Sequence, residues 1–402
     1  MKLIQREAYL SKLRGLRDEK LIKVITGVQR CGKSTLLKLF QEELLKDKVS
    51  KKQIISINFE DPKYIQKKDW YEIYEEINAK LVDDKMNYVF LDEVQYIESF
   101  ERLLVGLQTK DNVDLYVTGS NSHLLSSELA TLLSGRSYEI NILPYSFSEF
   151  LLATEDGAKD RTKEELFLDY IGYGGFPQVA TLYEKDEKLI AGYLQGIYET
   201  VVGRDILDRK QASDKVTLNR INNFLLDNTG CFYSIRSIAE GLLSPISHHT
   251  AKDYIASLTA SYLFYPAEQS SLKGKELLRP QSKYYSVDTG LRHALIGKST
   301  AEDRGRALET IVYFELLRHS SNVKIGKIND KEVDFVTKTT NGDTAYYQVA
   351  WGVRDEKTLE RELAPLQLIS DHSPCYLLTM DPESANYDGV KQMNIIKWLL
   401  EE

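Results

Sequence analysis

Residues 27–35 read GVQRCGKST, that is Gly27, Val28, Gln29, Arg30, Cys31, Gly32, Lys33, Ser34 and Thr35. The stretch fits G-x-x-x-x-G-K-[ST] at each fixed position, Gly27, Gly32, Lys33 and Ser34. Two glycines let the backbone curl so that successive N–H groups point at phosphate oxygens. A helix beginning at Lys33 adds the positive end of its dipole. All nine residues are therefore expected to wrap a nucleotide, ATP, with Lys33 on the β- and γ-phosphates and the Ser34 hydroxyl on Mg²⁺. The flanks agree: Leu21–Thr26 is a short apolar run expected as a buried strand, and Lys33–Leu45 is leucine-rich and expected as a helix.

A second stretch supports the first. Tyr88-Val89-Phe90-Leu91-Asp92-Glu93 is an apolar strand ending in two acids. Asp92 is expected in the Mg²⁺ shell and Glu93 as the general base on the attacking water. A further strand, Ile54–Phe59, lies between these two motifs, and a Glu adjoins the Asp. That combination points to the ATPase branch that includes AAA proteins. Leu115–Thr118 is a fourth strand, ending in Gly119-Ser120-Asn121. Ser120 and Asn121 are candidates to sense the γ-phosphate or the lytic water; a simple polar turn is the alternative. Ser137–Ile142 completes a parallel sheet, and Phe100, Leu103, Leu104 and Leu107 follow the i, i+3, i+4, i+7 spacing of a covering helix.

Two arginines and a cysteine extend the reading. Arg136, beside the fifth strand, is a candidate charge sensor, or an arginine finger acting in a neighbouring subunit, against the alternative of a solvated surface residue. The finger role requires a homo-oligomer. Arg204 is a weaker candidate that can equally pair with Asp205. Cys31, in the loop near a helix start, is expected to have a lowered thiol pKa; a small residue that simply fits is the competing view.

The whole chain sets the frame. It has 402 residues, more than the roughly 250–300 that one core usually holds, so several domains are expected. Hydrophobic residues are 42% and charged residues 28%, as in ordinary globular proteins, and no apolar run of membrane-spanning length occurs. The three cysteines are widely spaced, which fits the cytoplasm rather than a disulfide framework. A net charge of −8 excludes a globally basic nucleic-acid binder but not a local basic patch.

The expected organisation is α/β. Residues 1–145 form a P-loop ATPase core, a parallel sheet with flanking helices, and 146–212 an all-α lid. Within the lid, Gly172, Gly174, Gly175 and Pro177 are expected to make a tight bend, and Tyr193–Asp208 a helix. Residues 213–297 carry three helical patterns, Val216–Asn228, a short one opened by Ser234, and one capped by Ser247, followed by a strand–loop–strand. That is the layout of a winged helix. His248, His249 and Lys252 on its third helix, with Lys273 and Lys275 in its wing, are candidate contacts to DNA. An interaction or packing module without DNA is the alternative. Residues 298–402 read as helix, strands, helix, strand, helix, the last covering 390–402.

Taken together the chain resembles the bacterial and archaeal AAA-type ATPases whose C-terminal part is similar to the PD-(D/E)xK, restriction-endonuclease-like fold. The resemblance rests on GVQRCGKST, INFEDP, YVFLDEVQ, VTGSN, LSGRSYEINILPYSFSEF, YGGFPQV, VGRDI, KEVDFV and YYQVAWGV. It implies ATP and Mg²⁺ binding and hydrolysis. It also implies a nuclease-like site, with Glu309 as the helix acid and Asp334 as the strand acid. The acid-x-lysine position reads Gln348-Val349-Ala350, with no acid and no amine. Lys331 or Lys338 would have to substitute from elsewhere, so a nuclease-like domain without strong nuclease activity is expected, with Glu309 and Asp334 as remnants or salt-bridge partners.

The function expected is a Mg²⁺-dependent ATPase that rearranges its C-terminal modules on or near DNA. The rivals are a nucleotide-gated switch acting on protein partners and an ATP-dependent nuclease.

Overall fold

The computed structural model describes residues 3–65, 69–120, 135–154, 160–182, 186–207, 214–242, 244–272, 281–297, 303–320, 322–339 and 342–401. The chain divides into two compact units: Met1–Leu143 with Ala260–Tyr262, and Pro144–Thr259 with Leu263–Glu402.

In the first unit the apolar runs become five parallel strands, β1 (Ile22–Thr26), β2 (Ile54–Asn58), β3 (Asn87–Asp92), β4 (Val113–Gly119) and β5 (Ser137–Asn141). Their order is β2-β3-β4-β1-β5. Both faces are covered, which is why β1, β3 and β4 are apolar almost without alternation. On one face Val24, Val89, Leu91, Leu115 and Val117 meet Ile73 and Ile77 of the helix Trp70–Asn78 and Leu103, Leu104 and Leu107 of the helix Phe100–Gln108. Each such leucine contributes about 1.5–3 kcal/mol by leaving water. The opposite face is aromatic: Phe90 stacks on Tyr116 at 4.8 Å, and Phe40 of the helix Lys33–Lys46 tilts against Tyr116 at 5.3 Å.

One charge interrupts this core. Lys23 of β1 is fully buried and paired with Asp114 of β4, whose other oxygen accepts from the Tyr116 hydroxyl at 2.8 Å. The Lys23 ammonium also donates to the Glu19 carbonyl at 2.6 Å, so the ion is satisfied at the start of the sheet.

The second unit opens with helices Phe147–Thr154, Lys163–Tyr173, Pro177–Ala180 and Glu187–Thr200. Thr162 and Glu165 form a reciprocal capping box at the second of these. The expected helix Tyr193–Asp208 instead begins at Glu187 and loosens into a π-helical turn, Val201–Leu207. Gly172 is helical, not part of the bend. The bend is Gly174–Phe176, where Gly174 has φ +81° and the Gly175 N–H donates to Asp288 Oδ2 at 2.7 Å. A Cβ on Gly174 would meet Asp288 at 2.0 Å, and one on Gly290 would meet the Tyr173 carbonyl at the same distance. The double glycine thus serves a close approach to a buried carboxylate.

Helices Lys215–Asp227, Ile235–Gly241 and His248–Ala260 follow, with Ser234 and Ser247 accepting first-turn N–H groups as expected. Strands β6 (Phe232–Tyr233), β7 (Phe264–Ser271), β8 (Ser282–Ser286), β9 (Val323–Ile328), β10 (Lys331–Lys338), β11 (Thr344–Val349), β12 (Cys375–Thr379), β13 (Ala385–Tyr387) and β14 (Val390–Asn394) form one sheet, ordered β13-β14-β12-β11-β10-β9-β7-β8-β6. Residues Gln269–Ser271 of β7 pair in parallel with Ile325–Lys327 of β9. The segments 213–297 and 298–402 therefore share a continuous sheet, and apart from Ala260–Tyr262 both lie with 146–212 in one compact unit.

The end of the chain corrects an expectation. Residues 390–402 do not form one helix. Val390–Asn394 pairs with Cys375–Thr379, with Val390 and Gln392 turned inward at period 2. Asn394 then accepts the N–H groups of Ile396 and Lys397 at 3.0 and 3.2 Å and starts a short helix, Ile395–Leu399. Strands β9 and β13 had no counterpart in the sequence reading.

Candidate active site

The phosphate-type loop leaves β1 at Thr26 and enters the helix Lys33–Lys46. Gly27 (φ +138°) is required by space, since a Cβ there would lie 2.2 Å from the Ile142 carbonyl oxygen. Gly32 (φ +105°) is the helix N-cap, and no side chain caps this helix start. The Arg6 side chain braces the loop, donating to the Cys31 carbonyl at 3.2 Å and the Leu143 carbonyl at 2.9 Å while lying 4.6 Å over the Tyr9 ring. Sequence reading missed Arg6, because one arginine just before the charged helix Glu7–Gly15 carries no signal.

Lys33 is buried. Its ammonium donates to the Gly27 and Val28 carbonyls at 3.0 and 3.4 Å and lies 3.6 Å from Glu93 Oε1. Asp92 and Glu93 end β3 beside it, also buried. Thr118 of β4 orders both acids. Its hydroxyl donates to Asp92 Oδ1 at 2.5 Å and accepts the Glu93 N–H at 2.9 Å, holding Glu93 in a left-handed turn with φ +56°. Burial raises the Asp92 carboxyl pKa, opposed by hydrogen bonds from Thr118 and Ser34. Gln95 donates to Glu93 Oε2 at 2.5 Å and to the Ser120 hydroxyl at 3.3 Å. Thr118 and Gln95 were not singled out from sequence; only their position beside the strand ends marks them. Ser120 is thus joined to Glu93 through Gln95, while Asn121 lies outside the described residues.

The fit to a magnesium polyphosphate rests on the donor set. An ammonium, a hydroxyl and two carboxylates meet at one helix start, all hard oxygen ligands apart from the lysine. Ser34 and Asp92 are the two groups that would hold the cation, and the Ser34 hydroxyl opposes the rise of the Asp92 carboxyl pKa.

Two expectations need correcting. Arg136 precedes β5, pairing its carbonyl with the Ile22 N–H at the start of β1. It stands at the edge of the sheet opposite the phosphate-type loop, about 15 Å away at strand rise, so it cannot sense a nucleotide held by its own chain. Cys31 is fully buried, and desolvation raises its thiol pKa despite the nearby Lys33 and Arg6. It is a packed small residue. The side chains of Arg204 and Asp205 lie outside the described residues.

Known proteins place this geometry. An AAA domain model matches residues 19–151, and a domain of unknown function (DUF8612) matches 164–302. An uncharacterized protein of Haemophilus influenzae is 38% identical over 404 residues, covering 99% of both chains. An uncharacterized protein of the archaeon Methanocaldococcus jannaschii is 30% identical over 358 residues, 85% of this chain and 77% of its own. The chain belongs to the family of these two proteins, and its residues 19–151 are an AAA domain of the P-loop type. A Walker-type ATPase of Pyrococcus abyssi shares the fold, with a TM-score of 0.52 at 14% identity, over 73% of this chain and 95% of that one.

The rest of this AAA-type chain holds a second polar cluster. Glu309 of the helix Arg304–His319 and Asp334 of β10 converge as expected, joined by Glu332, with one oxygen of each within 4.8 Å of the others. Gln348 of β11 is turned to structure: its carbonyl accepts the Asp334 N–H at 3.3 Å and its amide donates to Glu362 at 2.9 Å. Lys331 and Lys338 are the exposed ends of β10 and supply no amine here. The amine present is Lys283 of β8, 2.8 Å from Glu309 Oε1. Burial raises the Asp334 carboxyl pKa well above the usual range, reinforced by Glu309.

Of the DNA candidates, His248, His249 and Lys252 are exposed on the first turns of the helix His248–Ala260. His249 lies 3.1 Å from Asp253. Lys273 and Lys275 lie outside the described residues. Among the described residues no helix is long and apolar enough to cross a membrane.

Proposed function

We propose that this chain is a Mg²⁺-dependent ATP hydrolase. The observation that carries the reading is the cluster at the end of β1 and β3, where the Lys33 ammonium lies 3.6 Å from Glu93 and Thr118 holds Asp92. Lys33 exchanges its carbonyl and carboxylate partners for phosphate oxygens. Ser34 and Asp92 hold the cation, which neutralises phosphate charge when bound. Glu93 takes the proton of the attacking water, oriented by Gln95, with Ser120 behind it. Arg136 is proposed as a finger to the site of a neighbouring copy, since it cannot serve its own.

The helix–strand–helix–helix–strand–strand order of 215–286 supports a winged-helix reading, and the placement of Glu309, Asp334 and Gln348 on a helix and two adjacent strands supports a nuclease-like one. The pairing of β7 with β9 means that nucleotide-driven motion would carry these modules together. DNA is the target we favour, because two DNA-type modules accompany one nucleotide site. Exposed His248, His249 and Lys252 supply the contacts. A switch directed at proteins is the second reading, favoured by the Asp253 partner of His249 and the net charge of −8. Phosphodiester cleavage is not proposed; plasmid nicking with Mn²⁺ that an Asp334→Ala variant loses would revive it.

The test is phosphate release from ATP and Mg²⁺ by the whole chain and by Lys33→Ala, with and without duplex DNA. Hydrolysis that Lys33→Ala abolishes is expected. Its absence in the unaltered chain would overturn the reading, and indifference to DNA would favour the protein-directed switch.

A further inference from the structure

We propose that the acid cluster of Glu309, Glu332 and Asp334 holds the Lys283 ammonium in the place where a nuclease-like site would hold a divalent metal. The inference does not rest on ATP hydrolysis. Three carboxylates with oxygens within 4.8 Å of one another form the sort of pocket a metal ion occupies. Lys283 enters it from a strand that no acid-x-lysine motif includes. Its side chain is only 5% exposed, and its amine is 2.8 Å from Glu309 Oε1 and in hydrogen-bond contact with Glu332.

The backbone gives this lysine little room to withdraw. β8 is bonded on both sides, with Lys283 opposite Phe232 of β6 and Ala267 of β7. The amine also lies 5.5 Å over the Phe232 ring. Other ligand positions are already engaged. Glu309 Oε1 additionally accepts the Tyr285 hydroxyl at 2.6 Å, and Asp334 Oδ2 accepts the Val349 N–H at 2.8 Å. An ammonium with three donors suits carboxylates whose oxygens are so shared, whereas Mg²⁺ demands a near-octahedral set of oxygens at about 2.0–2.1 Å.

The amine therefore ties three elements together, β8, the helix Arg304–His319 and β10. A reaction lysine would instead have to face water or phosphate beside a metal. The site becomes a buried clasp between the hairpin β7–β8 and the nuclease-like strands.

The experiment is Mn²⁺ titration of the full chain without nucleotide, read by the electron paramagnetic resonance of free Mn²⁺. The unaltered protein and Asp334→Asn are expected to bind Mn²⁺ alike, because any ion at Asp92 is common to both. Lys283→Met is expected to gain one Mn²⁺ per chain, to lose it again in Lys283→Met/Asp334→Asn, and to melt at a lower temperature that Mn²⁺ raises. One Mn²⁺ bound by the unaltered protein and lost in Asp334→Asn would overturn the proposal, as would Lys283→Met folding normally with no gained ion. The comparison of the unaltered chain with Asp334→Asn decides the matter even if Lys283→Met does not fold.

Discussion

The Lys33 ammonium lies 3.6 Å from Glu93 Oε1, so the loop cation and the proposed base are partners across the site. A nucleotide that draws Lys33 onto its phosphates would release Glu93 toward water. Lys33→Ala is expected to weaken ATP binding by about 10–150-fold, the worth of a charged hydrogen bond of about 1.5–3 kcal/mol. Fluorescent-nucleotide titration measures it, and unchanged affinity would remove Lys33 from the site.

Thr118 orients Asp92 and the Glu93 backbone with one hydroxyl. Thr118→Val keeps the shape and deletes both bonds. We expect hydrolysis to fall about 10–100-fold, as when groups that orient metal ligands are lost, with the thermal midpoint little changed. An unaltered rate would show that the acids orient themselves.

Lys23 and Asp114 form a buried pair in the sheet. Asp114→Ala strands the ammonium and is expected to cost about 3–5 kcal/mol in urea denaturation, while Lys23→Met/Asp114→Leu recovers most of it. Equal losses in the single and double variants would mean that packing, not charge, is at stake.

Asp288 gives a pH signature. Burial pushes its carboxyl from 3.8 up to about 6, opposed by N–H bonds from Gly175, Leu291 and Gly290. Between these values the folded chain keeps a proton that the unfolded chain has lost. This group's contribution is therefore fully present below about pH 4, falls as pH rises to about 6, and is flat above, a loss of about 3 kcal/mol. Denaturation of Asp288→Asn across that range should gain on the unaltered protein by that amount. A constant difference between the two would refute the shift.

The candidate nucleotide site was legible because the residues of each of its two motifs are consecutive. GVQRCGKST and YVFLDE each declare a loop or a strand end, and the apolar runs around them need no partner to be read as strands. Glu309 and Asp334, singled out through the resemblance, lie on a helix and a strand and come together. The residues that escaped act across the sequence. Arg6 reaches Leu143, Thr118 reaches Asp92, and Lys283 reaches Glu309, each pairing set by topology rather than by spacing. β14 escaped for a different reason. Val390–Asn394 is short and partly polar, runs into a helix, and becomes a strand only because β12 offers an edge. Arg136 misled because the strand beside it was foreseen, but its direction relative to β1 was not used.

The central claim is that Glu93 is the base of an ATP site. Its most direct measurement is nucleotide affinity and steady-state hydrolysis for Glu93→Gln beside the unaltered chain. ATP binding is expected to be retained and turnover slowed by about 10²–10⁴-fold, because only the proton acceptor is lost. Normal turnover by Glu93→Gln would contradict it.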